Sequence, residues 1–145
     1  NLGLIPIEEK ESYKWLSAVK ECDAYTKHGA QLVQVCDREA DIFEFMQHCL
    51  SHKQSFVIRA KSDRKVTLPT GESQHLFSCL KRTSIQSNLS IDIEGNSARK
   101  AKTVDATVKF RKVTLEVPVS NRSAEMASKM SPIDVTLIEV YSSEL

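Results

Sequence analysis

The chain has 145 residues, 41% of them hydrophobic, enough for one core or for one small domain with an extension. No apolar run reaches the ~18 residues that a membrane-spanning helix needs, and no basic stretch leading into an apolar core marks a secretory leader. The net charge of +1 conceals a segregation, because residues 53–112 hold 13 Lys and Arg against five Asp and Glu, while the rest hold seven against 14. A basic stretch of this kind suits a phosphate-backbone surface, and it equally suits an exposed sheet protected by Lys. In chain order, Ser12, Trp15, Leu16, Val19 and Cys22 recur at helical spacing, which predicts a helix over about residues 8–27 that Gly29 ends. The run from Gln31 to Cys36 reads as a strand apolar enough to lie centrally in a sheet. Ile42, Phe45, Met46, Cys49 and Leu50 then form the apolar stripe of a second helix reaching about residue 52. A strand from Ser55 to Lys61 follows, expected to pair beside the first through a right-handed crossover.

From about residue 66 the pattern turns to alternation. Leu89, Ile91 and Ile93 alternate within Ser87 to Ile93, and Gly95-Asn96 marks a turn. Val104, Ala106, Val108 and Phe110 alternate until the phase slips at Arg111-Lys112, which predicts a hairpin or bulge before Val113, Leu115 and Val117. Pro118 ends the pairing, a short helix is expected near Ser123 to Lys129, and Ile133 to Tyr141 reads as the last strand. The four cysteines, Cys22, Cys36, Cys49 and Cys79, have no paired spacing and read as reduced packing residues of a cytosolic protein.

Chemistry concentrates at Gln34-Val35-Cys36-Asp37-Arg38-Glu39-Ala40-Asp41-Ile42, where an apolar strand runs into a carboxylate just ahead of a helix. In open α/β sheets, sites gather where strands end and helices begin. Asp37 there can cap the helix, and it can also serve as a metal ligand. Glu39 and Asp41, in the expected first turn, read as helix support through the dipole. Glu44, His48 and His52 fall four apart on one helix face, a spacing that could hold Zn²⁺ with a third ligand; lying opposite the apolar stripe, that face reads as solvated. His28 and His75 stand alone, and no glycine-rich phosphate loop is present.

The strings Val35-Cys36-Asp37-Arg38-Glu39-Ala40-Asp41-Ile42 and Phe56-Val57-Ile58-Arg59-Ala60-Lys61, in this order, closely resemble the central block of bacterial cut-and-paste insertion-sequence transposases of the Asp-Asp-Glu type. That family excises DNA through hairpin ends. The segment Glu8 to Leu16 is similar to the family's connecting helix, and Ala98-Arg99-Lys100-Ala101 to a basic stretch in its β-rich insertion. The clear match covers roughly residues 8–65. The resemblance implies an α/β (α+β) fold: a partial RNase H-like β-α-β core over residues 1–65 and an antiparallel β-rich insertion over 66–145. It implies that Asp37 is the second catalytic aspartate and a ligand of Mg²⁺ or Mn²⁺, and that Arg59 and Lys61, with Arg64 and Lys65 beside them, hold transposon-end double-stranded DNA.

The family also needs an aspartate on an earlier strand and a glutamate on a later helix that carries Tyr, Arg, Glu and Lys in a set spacing. Neither is found here, so the chain reads as a middle segment that is inactive alone, from a bacterial cytoplasmic, nucleoid-associated parent acting as a dimer on paired ends. Two divalent ions would need all three carboxylates to bind fully. Where the best-known members place a base-stacking tryptophan, an ungapped reading from Ser131-Pro132 puts Val135. The alternatives are a non-catalytic DNA-binding remnant and a protein-interaction module built on the exposed sheet.

Overall fold

A computed structural model describes residues 13–119 and 124–144. The protein is a mixture of helix and strand with both parallel and antiparallel strand pairing, an α+β fold. It divides into two compact units, one of residues up to 64 together with 115–133, the other of 65–114 with 134 onward. None of its helices is long and apolar enough to cross a membrane, among the described residues.

In the first unit, α1 spans Tyr13–Glu21 and α2 spans Asp23–Lys27. The single helix expected to reach residue 27 is therefore broken at Cys22, and the part expected before Tyr13 lies outside the described residues. Gly29 does end α2: at φ +83° it lets Gly29 N–H donate to Thr26 O and Ala30 N–H to Tyr25 O, a Schellman closure. Strand β1 (Val33–Cys36) follows, then a 3₁₀ turn at Arg38–Ala40, α3 at Phe43–Ser51 and β2 at Ser55–Ile58. Strands β1 and β2 pair in parallel, Val33 opposite Ser55 through Cys36 opposite Ile58, with α3 as the connection. α3 ends in a second Schellman closure, here with Lys53 in the left-handed region at φ 58°.

Alternation within the strands decides what is covered. Cys36, Phe56 and Ile58 turn to the helices and pack on a core of Leu16, Val19, Phe45 and Cys49, where each fully buried side chain contributes about 1.5–3 kcal/mol. Trp15 packs against the same core but is only partly buried. The other sheet face carries Val33, Val35 and Val57, which are 53, 78 and 60% exposed. The expectation of a strand central in its sheet is thus corrected: among the described residues β1 pairs only with β2, and one face of the pair is exposed. β2 also stops at Ile58, three residues short of its expected end.

The second unit is a five-stranded antiparallel-rich sheet. β3 (Lys65–Thr67) and β4 (Ser73–His75) form a hairpin whose turn places Gly71 at φ +89°. α4 (Leu76–Arg82), which the sequence reading missed, buries Leu76, Cys79 and Leu80 at helical spacing. β5 (Ser87–Ile93) pairs antiparallel with β6 (Lys102–Leu115) across a turn in which Asn96 and Arg99 exchange backbone bonds and Asn96 Oδ1 accepts from Ala98 N–H. β7 (Ile133–Tyr141) also pairs with β6. The short helix α5 (Ala124–Ser128), which belongs to the first unit, and β7 lie where the alternation and composition placed them.

The phase slip near Arg111 is real, but it involves no hairpin, because β6 runs unbroken over 14 residues. Its buried residues change from Val104 and Ala106 to Val113 and Leu115, that is, from one parity to the other. β5, β3 and β7 share the two edges of β6, so two of them must succeed each other along one edge. β5 leaves at Val108, and just beyond it the Gln86 side chain takes over as acceptor for Phe110 N–H.

Candidate functional site

Parallel register brings the two leading sequence candidates together. Cys36 and Ile58 are the last paired residues, and Arg59 N–H donates to Cys36 O at 3.2 Å, so Asp37 and Arg59 leave the strand ends side by side. Arg59 Nη1 lies 3.5 Å from Asp37 Oδ1, with the two side chains 72 and 61% exposed. Asp37 Oδ1 also accepts from Arg38 N–H at 2.7 Å, which caps the 3₁₀ turn, not α3. That backbone bond is the main cause of an Asp37 pKa below the ordinary carboxylate value; slight desolvation opposes it and Arg59 reinforces it. The carboxylate is therefore charged, accessible and at a strand end.

A charged, accessible carboxylate is what a Mg²⁺ ligand needs, but one is not enough for two ions. Among the described residues, Asp37 belongs to no group of three or more metal-ligating side chains. These residues do not form a two-ion centre.

The other candidates separate. Lys61 lies beyond β2 with its side chain exposed, while its backbone N–H donates to Asp41 Oδ2 at 2.7 Å. Arg64 is drawn inward: Nε and Nη2 donate to Asp41 Oδ1 at 3.0 and 2.7 Å, and Nη2 also donates to Asp41 O at 2.7 Å. Its side chain is only 13% exposed, so its guanidinium faces Asp41 and not a phosphate surface. Lys65 opens β3 in the second unit and is exposed. Asp41 itself corrects the expectation of helix support. It follows the 3₁₀ turn, precedes α3, and clasps the loop after β2, with a side chain 3% exposed. Glu39 stays at the surface, 3.4 Å from Lys14.

Several cations of the basic stretch in the second unit have local acidic partners: Lys109 with Glu139 at 3.0 Å, Arg82 with Glu72 at 3.8 Å, and Lys102 with Glu144 at 4.0 Å. Val135 lines a shallow groove with Pro69, Lys112, Thr114 and Asp134.

The histidine face of α3 also departs from expectation. His48 is only 12% exposed, because α2 folds back over it and sets Asp23 Oδ2 at 3.0 Å from His48 Nε2. His52 Nε2 lies 3.8 Å from the same oxygen, and the two imidazoles stack with centroids 3.9 Å apart. Gln54, 2% exposed, joins the group by donating to Asp23 Oδ1 at 2.7 Å and accepting from Gln34 Nε2 at 2.6 Å. The i, i+4 histidine spacing signalled two members. Asp23 gave no signal, because only the break at Cys22 brings it there. No known protein-family model matches the chain.

Proposed function

We propose that the chain is a duplex-DNA-binding segment of a transposase of the Asp-Asp-Glu type, in which Arg59 and Lys61 contact the phosphate backbone. Asp37 serves as one carboxylate of a divalent-metal site whose remaining ligands are not among the described residues. The supporting observation is the placement of Asp37 beside Arg59 at the ends of two parallel strands joined by a helix, the position at which open α/β sheets carry their sites. Lys65 adds a cation in the second unit, and Arg64 acts by holding the loop that carries Lys61.

Fluorescence anisotropy with a labelled duplex, measured over a range of salt, tests this. Loss of two phosphate contacts in Arg59→Ala/Lys61→Ala should flatten the plot of log K against log salt by about 1.8, with weakening across all sequences alike. Binding with an unchanged slope would place the DNA surface elsewhere. The exposed Val33, Val35 and Val57 face favours a second reading, protein contact through the sheet. On that reading duplex DNA is not bound even at low salt.

A further inference from the structure

We propose that Asp23, His48 and His52 form a binding site for one divalent transition-metal ion of the zinc class, with a coordination position left for solvent or an external ligand. This goes beyond the DNA-binding reading and does not depend on it, since none of the three residues is among the proposed phosphate contacts.

Donor chemistry comes first. Two imidazole nitrogens and a carboxylate oxygen are a ligand set for Zn²⁺, whereas Mg²⁺ prefers oxygen donors throughout. Geometry agrees. Bonds of about 2.0–2.1 Å at the tetrahedral angle place neighbouring donor atoms about 3.3 Å apart. Asp23 Oδ2 lies 3.0 Å from His48 Nε2 and 3.8 Å from His52 Nε2, values that bracket this separation. One donor atom from each of the three residues lies within 4.8 Å of the others; because the two imidazoles stack nearly parallel, they must turn out of that stack for both ring lone pairs to meet at a common centre.

The outer contacts are also those of a metal site. His52 Nδ1 is 3.0 Å from His48 O, a bond in which the ring must donate; the neutral ring then carries its lone pair on Nε2. Gln54 Nε2 donates to Asp23 Oδ1 and fixes the carboxylate, both of whose oxygens face His48 Nε2, at 3.1 and 3.0 Å. A simple hydrogen-bonded clasp accounts for His48 and Asp23 alone. His52, whose ring is held by the stack on His48 and by the bond to His48 O, turns its Nε2 to the same oxygen from beyond hydrogen-bond distance. The exposures suit entry from one side, with His48 and Asp23 at 12 and 19% forming the floor and His52 at 44% forming the lip. An ion there would tie α2 to the last turn of α3, and through Gln54 to the start of β2.

The test uses the metal-stripped chain without DNA, titrated with Zn²⁺ by calorimetry and with Co²⁺ by visible absorption. Thermal unfolding is followed by the fluorescence of Trp15. The expected result is one ion per chain, a Co²⁺ spectrum of low coordination number, and a midpoint raised by Zn²⁺. His52→Ala and Asp23→Asn should each weaken binding by at least about tenfold, as loss of a ligand exceeds the loss of an outer partner. His48→Gln, checked for folding by circular dichroism, should do the same, and His28→Ala/His75→Ala should leave binding unchanged. Absence of binding, or wild-type affinity in both His52→Ala and Asp23→Asn, overturns the proposal.

Discussion

Asp41→Ala removes a carboxylate that accepts four hydrogen bonds, from Lys61 N–H, Ser62 N–H, and Nε and Nη2 of Arg64, at 2.7 to 3.0 Å. Taking one partner from a buried ion pair costs about 3–5 kcal/mol, mainly because the other charge is left without compensation. Here Arg64 keeps its bond to the main-chain carbonyl of residue 41, and Lys61 is an exposed residue. The lower end applies, about 3 kcal/mol. Urea unfolding followed by Trp15, the sole tryptophan and a neighbour of the first unit's core, measures it. Arg64→Ala on top of Asp41→Ala should add little, because the stranded charge is gone. An Asp41→Ala protein within about 0.5 kcal/mol of the parent refutes the clasp. The pH dependence has a definite sign. Burial raises the Asp41 pKa, but the bonds from Ser62, Lys61 and Arg64 outweigh it, so the folded value lies below the ordinary one. The clasp therefore stabilises fully above the unfolded pKa of about 3.9 and is lost as pH falls through the folded value. Asp41→Asn should show a flatter acid limb below about pH 4 in the same assay.

The two helix closures make a pair of opposite predictions. Gly29→Ala, at φ +83°, should lower the Trp15 unfolding free energy by about 1 kcal/mol, and Lys53→Gly, at φ 58°, should raise it by up to ~1 kcal/mol. Val35→Thr, on a side chain 78% exposed, should change stability by less than about 0.5 kcal/mol; a loss several times larger in the same titration would mean that the face is covered. Thiol labelling of the native chain should be prompt at Cys22 and slower at Cys36, whose thiol burial pushes up. Cys49, pushed up to about 12 mainly by burial, and buried Cys79 should label only on unfolding, and rapid modification of Cys49 would contradict the packing.

Element type was largely legible because both periodicities are strong. The α3 stripe, the alternation in β5 and the composition of β7 each point to one structure, and Gly29 announces a closure that Lys53 conceals. The adjacency of Asp37 and Arg59 followed once two short strands were read as parallel neighbours. What could not be read depends on partners distant in sequence. Asp41 looks like any acidic residue of a first turn until the loop after β2 returns to it. Asp23 belongs to the histidines only because a nine-residue helix stops short and a five-residue helix begins. The exposure of Val35 is equally hidden, since Val33 and Val35 give β1 the apolar outer face expected of a strand covered on both sides.

The change of parity along β6 also sets how the chain can tolerate altered length. Val104 and Ala106 are buried in the half paired with β5, Val113 and Leu115 in the other half. Loss of a single codon between residues 107 and 112 would put all four on one parity and turn one half inside out against its neighbours, whereas loss of two would keep their present relation. Natural length variation in this strand should therefore come in even steps.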